Sequence, residues 1–378
     1  MNVLKRKFSL FFKNIFHLKS KNHVNSVDST TLGTAIPNVV ETSDIVHNFS
    51  NDNDINPTPV DVKVNIPDEF VTITNETTSN IVNESDVTKI SLSTFQLCDN
   101  GYIIGASIRG RSHEKHNTDC QDFHSSEYLG NGWYILSVSD GAGSAKYAKR
   151  GAKANSSIAI RLAKQMLMEK RWVTDNYFPS EVEWYIEARS IFERIKLIIR
   201  TKVAELEEEC VETDFNATIL LVILTPNGIL SAHIGDGRMG YLSQDDEWKS
   251  MMKPHKGSEA NQTIFLQSSW TAPTVPALCI NGVYVPETRI IPEKAQAVVL
   301  ISDGCEHASW ECNIMDMELG KYTDKNVPYS GFMTPLLEAL NGCINDDKIQ
   351  LFIDILDRGT KACEREIDDK TMLLVVLQ

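Results

Sequence analysis

Acidic residues stand at the ends of several apolar segments of this chain, where they could bind a metal ion. Three times a segment typical of a β-strand ends in Asp-Gly, at Asp140-Gly141, Asp236-Gly237 and Asp303-Gly304. Gln121-Asp122 leads into Phe123, and Asp368-Asp369 stands just before the last strand-like segment. A strand end is a rigid support for a carboxylate, and an adjacent glycine lets the backbone carbonyl approach a cation. The residues alone leave two interpretations open, a metal site and ordinary turns, since Asp-Gly is also common turn chemistry.

The type of donor indicates which metal these acids would bind. Hard divalent cations prefer carboxylate, carbonyl and water oxygens, whereas zinc sites are rich in Cys and His. The sequence has no Cys-x-x-Cys and no His cluster at zinc spacing. If the acids converge in space, the sequence therefore predicts Mg²⁺ or Mn²⁺.

The elements that must position these acids follow from hydrophobic periodicity. Strand patterns cover residues 102–109, 133–139, 217–225, 229–234, 238–243, 297–302 and 371–377. Apolar residues at every third or fourth position predict helices over residues 145–169, 180–209 and 348–366. Pro226-Asn227-Gly228 is hairpin turn chemistry, and the strand after Asp236-Gly237 extends this hairpin into a predicted three-strand meander. Runs of strands separated by a helical pair predict an α+β fold with largely antiparallel sheets.

Composition excludes several classes of protein. The formal net charge is −14 at pH 7, which removes the general phosphate attraction on which nucleic-acid binding depends, so we expect no nucleic-acid partner. No apolar run reaches the roughly 18 residues of a transmembrane helix. The eight cysteines are scattered, which favours reduced thiols in a cytoplasmic protein, with a disulfide framework as the alternative.

The beginning of the chain differs in composition from the rest. Residues 1–21 carry six basic residues and no acid, interleaved with phenylalanines. This favours a disordered basic start; a surface helix in weak contact with a membrane and a partner-docking segment are the alternatives. Residues 22–95 are polar and aperiodic, as in a linker. We therefore predict a disordered extension over residues 1–95 and a globular domain over residues 96–378.

Short motifs follow one another over about residues 105 to 377. They are Gly110-Arg-Ser-His113, Cys120-Gln-Asp122, Val138-Ser-Asp-Gly-Ala-Gly-Ser144, Asp214-Phe-Asn-Ala-Thr218, His233-Ile-Gly-Asp-Gly237, Ala260-Asn-Gln-Thr263, Ile301-Ser-Asp-Gly304 and Asp368-Asp-Lys-Thr371. Their order resembles the protein phosphatase 2C family, most closely its atypical bacterial branch. The resemblance implies a layered α-β-β-α sandwich of two mainly antiparallel sheets flanked by helices. It also implies a catalytic domain that removes phosphate from phosphoserine and phosphothreonine in proteins.

The resemblance further implies a site for two Mg²⁺ or Mn²⁺ ions. The implied ligands are Asp122, Asp303, Asp368, the carbonyl of Gly141, and Asp140 as the residue that bridges the ions. Asp214 is implied as a ligand of an additional, weaker site, and Asp236 as a turn residue. A pair of such ions can activate water for in-line attack on a phosphate without a covalent enzyme intermediate.

Two positions depart from the family pattern. Many relatives carry an Arg five positions before the first metal-binding Asp, where this chain has Asn117. Arg109 and Arg111 become the candidates for phosphate binding. His113 joins Asp122 and Asp140 as a candidate catalytic residue, with a structural histidine that hydrogen-bonds its loop as the alternative.

The second departure is Ala142, which stands where many relatives carry a His proposed as the general acid. Loss of general acid catalysis predicts slow turnover, since such help is typically worth about 10²–10⁴-fold in rate. The alternative function is a catalytically weak phosphoprotein-binding pseudophosphatase or scaffold. Phosphorylated proteins are the predicted partners, and a cognate serine/threonine kinase tethered by the N-terminal extension is a further candidate.

Overall fold

The computed structural model of the protein describes residues 89–206, 209–255, 263–268, 279–280, 283–284, 286–312, 314–317 and 320–377. Its strands are β1 (Ile90–Cys98), β2 (Gly101–Ile108), β3 (Phe123–Gly130), β4 (Trp133–Ser139), β5 (Ile219–Thr225), β6 (Gly228–Ile234), β7 (Arg238–Ser243), β8 (Trp248–Ser250), β9 (Cys279–Ile280), β10 (Val283–Tyr284), β11 (Glu287–Ile291), β12 (Ala295–Ile301), β13 (Ile314–Asp316), β14 (Lys321–Thr323) and β15 (Lys370–Leu377). Its helices are α1 (Arg111–His116), α2 (Ala148–Glu169), α3 (Glu181–Glu205), α4 (Glu306–Ser309), α5 (Ser330–Asn341), α6 (Asn345–Arg358) and α7 (Lys361–Arg365).

Two antiparallel sheets form the centre of the fold. One has six strands in the order β1-β2-β15-β12-β7-β8, and the other has five in the order β11-β6-β5-β4-β3. Apolar side chains on their facing surfaces make a common core, which includes Leu136, Val222, Leu300 and Val375. Helices α2 and α3 pack on the five-stranded sheet, and α6 packs on β1 and β2 of the six-stranded sheet. The predicted α-β-β-α arrangement is therefore confirmed.

Two of the predicted helices appear close to their predicted bounds. Helix α2 begins at Ala148 and α3 at Glu181. Ser180 starts α3 with a capping box, in which Ser180 Oγ accepts from Glu183 N and Glu183 Oε2 accepts from Ser180 N. The predicted late helix 348–366 is divided into α6 and α7, and α5 precedes it without having been predicted.

The predicted three-strand meander is wrong. Strands β5 and β6 form the expected hairpin, but β7 belongs to the other sheet, where it pairs with β12 and β8. The reason is that β6 already has a partner on each side, since β11 occupies its second hydrogen-bonding edge. The chain therefore crosses between the sheets at Gly235-Asp236-Gly237.

Strand β1 lies at the edge of the six-stranded sheet and pairs with β2 along its length. The predicted domain boundary at residue 96 falls inside this strand. Residues 1–88, with the basic segment 1–21, and positions 260–262 of one motif lie outside the described residues. No helix among the described residues combines the length and the apolar character needed to cross a bilayer.

Candidate metal centre and active site

The acids predicted as ligands stand at the ends of strands from both sheets. Asp122 directly precedes β3, and Asp140 directly follows β4. Asp303 follows β12 after one residue, and Asp368 stands just before β15. Strands β3 and β4 are neighbours in one sheet, and β12 and β15 are neighbours in the other.

The charges on these acids act on one another. Burial, followed by the charges of Asp122, Asp303 and Asp368, raises the pKa of Asp140 well above its ordinary value. Burial, followed by the charges of Asp236 and Asp368, raises the pKa of Asp303 to about 7. The structure therefore brings together Asp122, Asp140, Asp303 and Asp368, with Asp236 beside them. For Asp236 the resemblance favours a turn role over a ligand role, and its place beside the other acids leaves both in view.

Asp122 is held in a fixed orientation. It is 2% exposed, and its Oδ2 accepts a hydrogen bond of 2.6 Å from Ser302 Oγ. The hydroxyl of Thr371, which donates to Ser107 Oγ at 2.8 Å, lies beside this carboxylate as well. Burial and the charge of Asp369 nevertheless raise the pKa of Asp122 well above its ordinary value. Ser302 partly offsets that effect, because a hydrogen bond to the ionised carboxylate favours the charged form, and the nearby Thr371 side chain acts in the same direction.

The residues present fit a divalent cation. Asp303 Oδ1 is buried and has no hydrogen-bond partner, although its carboxyl group contacts that of Asp140. Buried like charges are unfavourable unless a counter-charge neutralises them, and an all-oxygen donor set suits Mg²⁺ or Mn²⁺. A bound cation would supply this counter-charge. The residues that would hold it are Asp122, Asp140, Asp303 and Asp368.

Gly141 and Asp140 are positioned by the segment that leads into β5. Thr218 N donates to the Asp140 carbonyl at 2.8 Å, and Asp140 N donates to Thr218 Oγ1 at 2.9 Å. Gly141 forms a bridge with Ala217. Ala142, the second departure from the family pattern, is 7% exposed, and its backbone N continues this pairing by donating to the carbonyl of Asn216.

Asp214 occupies a short 3-10 turn at Glu212–Phe215. Its Oδ2 accepts from the backbone N of Val211 at 3.0 Å, so its carboxylate caps its own turn. Its carbonyl accepts from Tyr147 N at 2.7 Å. These contacts give Asp214 a local structural role, and its place in a weaker metal site stays a prediction.

Asp369 is a residue that sequence reasoning missed. Its carboxylate is 2% exposed and accepts 2.6 Å hydrogen bonds from Gly110 N and Gln121 N. His113 Nδ1 lies 2.9 Å from the same carboxylate, a contact by distance rather than by hydrogen-bond angle. Asp369 thereby ties the loop before Asp122 to the start of β15. The signal in the sequence was the doubled acid at Asp368-Asp369, of which only the first was used.

Replacing Asp369 with Ala should lower the free energy of unfolding by at least about 2 kcal/mol, because Gly110 and Gln121 would keep buried N–H groups without an acceptor. Urea denaturation of the purified protein measures this value. Asp99→Ala is the matched control, since Asp99 is exposed and accepts a hydrogen bond from Tyr128 at 2.7 Å. Equal losses in both variants would contradict the proposed contribution of Asp369.

The two arginines predicted to bind phosphate lie in different environments. Arg111 is exposed and is the first residue of α1. Arg109 is 9% exposed, donates from Nη1 to the Thr118 carbonyl at 3.4 Å, and has a buried Nε without a hydrogen-bond partner. Asn117 ends α1 with a φ of 53°.

A second histidine near the acids had not been predicted. His307 belongs to α4, which begins soon after Asp303, and its Nδ1 lies 3.2 Å from Glu366 Oε2. Glu366 Oε1 accepts from Asp368 N at 3.2 Å. The contact with Glu366 raises the pKa of His307. Its signal in the sequence was the position four residues after Asp303.

A cluster of two histidines and a glutamate supports the turn at Asp236. His233 and His255 are almost fully buried, with ring centroids 4.0 Å apart, and Nε2 of each lies 3.8 Å from Glu287 Oε2. His255 Nδ1 accepts from Gly235 N at 3.2 Å, so His255 Nε2 carries the proton and is not a free metal ligand. We therefore interpret this cluster as structural.

Comparison with known proteins agrees with this geometry. The family model of protein phosphatase 2C matches residues 109–354, more than half of the chain. Serine/threonine-protein phosphatase 3 of Escherichia coli K12 is 25% identical over 281 residues, covering 72% of this chain and 97% of that protein.

Solved structures with a similar fold include two phosphatases. The serine/threonine phosphatase of S. agalactiae has a TM-score of 0.45 at 17% identity, covering 73% of this chain and 99% of its own. Serine-threonine phosphatase 2C of Toxoplasma gondii has a TM-score of 0.48 at 11% identity, covering 76% of this chain and 99% of its own. The family match includes Asp122, Asp140 and Asp303 and ends before Asp368. On the strength of that match, the chain belongs to the protein phosphatase 2C family of serine/threonine phosphatases.

Proposed function

We propose that this protein hydrolyses phosphoserine and phosphothreonine in phosphorylated proteins, with two Mg²⁺ or Mn²⁺ ions in its active site. The observation that carries this proposal is the convergence of strand-end carboxylates, whose charges raise one another's pKa at Asp140 and Asp303. The proposed ligands are Asp122, Asp140, Asp303, Asp368 and the carbonyl of Gly141. When bound, the ions supply charge neutralisation for the phosphate and lower the pKa of a water molecule.

The residues of the chain have separate tasks in this proposal. Asp140 is affected by the charges of Asp122, Asp303 and Asp368, which supports a central position between two ions. Arg111 is exposed at the start of α1, and Arg109 retains an unpartnered Nε donor, so both stay candidates for the phosphate. His113, held near Asp369, stays the candidate catalytic histidine of this loop.

The domain that carries this activity includes β1. Because β1 pairs with β2 along its length, we propose that the catalytic domain begins near Ile90 and not at residue 96. A kinase partner, a cytoplasmic location and a role for residues 1–21 remain predictions from the sequence.

The direct test is phosphate release from a phosphothreonine peptide. We expect turnover with Mn²⁺ and loss of turnover when EDTA is in excess, with recovery when Mn²⁺ is restored. We also expect the peptide to be hydrolysed more slowly than an aryl phosphate. Ala142 cannot protonate the leaving group, and the alkoxide of the peptide is the poorer leaving group of the two. Turnover that survives EDTA would refute the metal-dependent mechanism. Calorimetric binding of the peptide without turnover, at saturating Mn²⁺, would favour a pseudophosphatase.

A further inference from the structure

A group of basic side chains lies at the beginning of α2, next to the proposed metal site. Residues 145–153 contain four basic residues and no acid, in a chain with 51 acidic and 37 basic residues. The four are Lys146, Lys149, Arg150 and Lys153. Lys146 and Lys149 are exposed, and Arg150 is partly exposed. A local excess of positive charge on so acidic a protein favours negatively charged ligands at this surface.

Tyr147 contacts two of these cations. The centroid of its ring lies 4.7 Å from Lys146 Nζ and 5.0 Å from Arg150 Cζ, within the range of cation–π contacts. The ring packs on that of Phe215, with centroids 5.0 Å apart, and Tyr147 N donates to the carbonyl of Asp214 at 2.7 Å. The lysine and the arginine are therefore held against an aromatic pair that is itself fixed to the backbone beside the site.

The start of α2 contacts both of the loops that carry proposed metal ligands. A Cβ atom at Gly141 would lie 2.6 Å from the carbonyl oxygen of Ala148 and 2.8 Å from that of Gln121. Gly141 directly follows Asp140, and Gln121 directly precedes Asp122. Ala148 belongs to the same turn of the chain as the basic residues, so these residues lie beside the proposed active site.

The stability of α2 does not explain these charges. The N-terminal end of a helix carries a partial positive charge, so acidic residues stabilise it and basic residues do not. Helix α3 follows this rule with Glu181 and Glu183 in its first turn, whereas the first turn of α2 has no acid. An ion pair of 3.0 Å joins Lys149 Nζ to Asp119 Oδ2, but both side chains are largely exposed, where such pairs contribute little.

We propose that Lys146, Lys149 and Arg150, the basic face of α2, bind acidic residues that flank the phosphorylated residue of the substrate. The preferred substrates are then phosphoproteins with Asp or Glu within a few residues of the site of hydrolysis. The guanidinium of Arg150 can pair with a carboxylate through two hydrogen bonds, whereas the lysines act as point charges. The proposal rests on the proposed function, because it names the substrate class of the same active site.

Two phosphothreonine peptides of equal length test this preference, one with Asp at the flanking positions and one with Asn. We expect the wild type to have the lower KM for the Asp peptide, at a similar kcat. The double variant Lys146→Gln with Arg150→Gln should raise the KM for the Asp peptide at least about fivefold and remove most of the preference. Lys164→Gln is the matched control and should keep the preference. Lys164 is exposed on the same helix, roughly 20–30 Å further along its axis.

Two further measurements distinguish charge recognition from a structural effect. Raising the salt concentration to about 1 M, where the screening length is about 3 Å, should remove the preference of the wild type. Asp119→Asn releases Lys149 from its ion pair and should lower the KM for the Asp peptide by about twofold or more. Damage to packing would not improve the binding of one peptide over the other.

Equal KM values of the wild type for the two peptides would overturn the proposal, and so would a preference that survives in the double variant. Calorimetric titration of both peptides at saturating Mn²⁺ separates this proposal from the proposed function. Tighter binding of the Asp peptide without turnover would support the basic face and refute the hydrolytic function. Turnover of both peptides at equal KM and equal affinity would refute the basic face alone.

Discussion

Replacing Asp140 with Asn should reduce phosphopeptide hydrolysis at saturating Mn²⁺ by at least about 100-fold, the upper range for changing a residue that only supports a ligand. Asp140 is the acid whose pKa responds to the charges of Asp122, Asp303 and Asp368. A neutral amide at this position would weaken the binding of every metal ion for which Asp140 is a ligand. Steady-state assays with a phosphothreonine peptide measure the loss, with the exposed Asp175→Asn as the control.

The same variant should be more stable than the wild type when metal is absent. The folded-state pKa of Asp140 is raised, so its contribution to stability is fully present below the unfolded-state pKa and is lost as pH rises through the folded-state pKa. At pH 8, well above the unfolded-state pKa, Asp140 therefore destabilises the metal-free fold, and Asn removes that cost because it does not ionise. Thermal unfolding in EDTA at pH 8 measures the difference. A metal-free Asp140→Asn protein with a lower melting temperature than the wild type would argue against a crowded acidic cluster.

Local patterns predicted the elements whose chemistry is contained in a short stretch of sequence. The capping box at Ser180 and Glu183 begins α3, and the turn at Pro226-Asn227-Gly228 joins β5 to β6. The strands that lead into Asp140 and Asp303 were predicted because each is a continuous apolar run, as expected for strands covered on both faces.

Long-range pairing was not available from the sequence. Strand β7 follows β6 directly, yet pairs with β12, because β11 occupies the free edge of β6. The local sequence pattern around β6 and β7 does not show that β11, much later in the chain, pairs with β6. Strand β1 was missed for a similar reason, since its exposed edge position leaves it without a strong apolar pattern.

In the candidate site, too, local features were predicted from the sequence and long-range contacts were not. Asp140, Asp303 and Asp368 were found because each one follows or precedes an apolar segment, and Asp122 was found because the order of the motifs matched a family. Asp369, Ser302 and Thr371 were missed as supporting residues, because what they do is defined by partners far away in sequence, such as Gly110, Gln121 and Asp122. Nothing in the spacing of residues records those contacts.

A buried ion pair connects two of the acidic turns to a later segment of the chain. Arg238 follows Asp236-Gly237 and is 0% exposed. Its Nη2 donates to Glu306 Oε2 at 3.2 Å and to Asp324 Oδ2 at 2.7 Å. Its Nη1 donates to Asn326 Oδ1 at 2.7 Å. Since Glu306 follows Asp303-Gly304, this guanidinium holds the turns of both acids and the segment around Asp324 together.

Replacing Arg238 with Met should therefore lower the free energy of unfolding by about 3–5 kcal/mol, because the change removes the buried guanidinium that pairs with the Glu306 carboxylate. Urea denaturation in EDTA measures this loss without a contribution from metal binding. Arg189→Met is the matched control: Arg189 Nε lies 2.7 Å from Glu193 Oε1 on an exposed helix face, where such pairs are worth about 0–1 kcal/mol. The double variant Arg238→Met with Glu306→Leu should recover part of the stability, because it removes the stranded charge along with the arginine. A double variant no more stable than Arg238→Met alone would assign the loss to packing around Arg238 and not to the charge of Glu306.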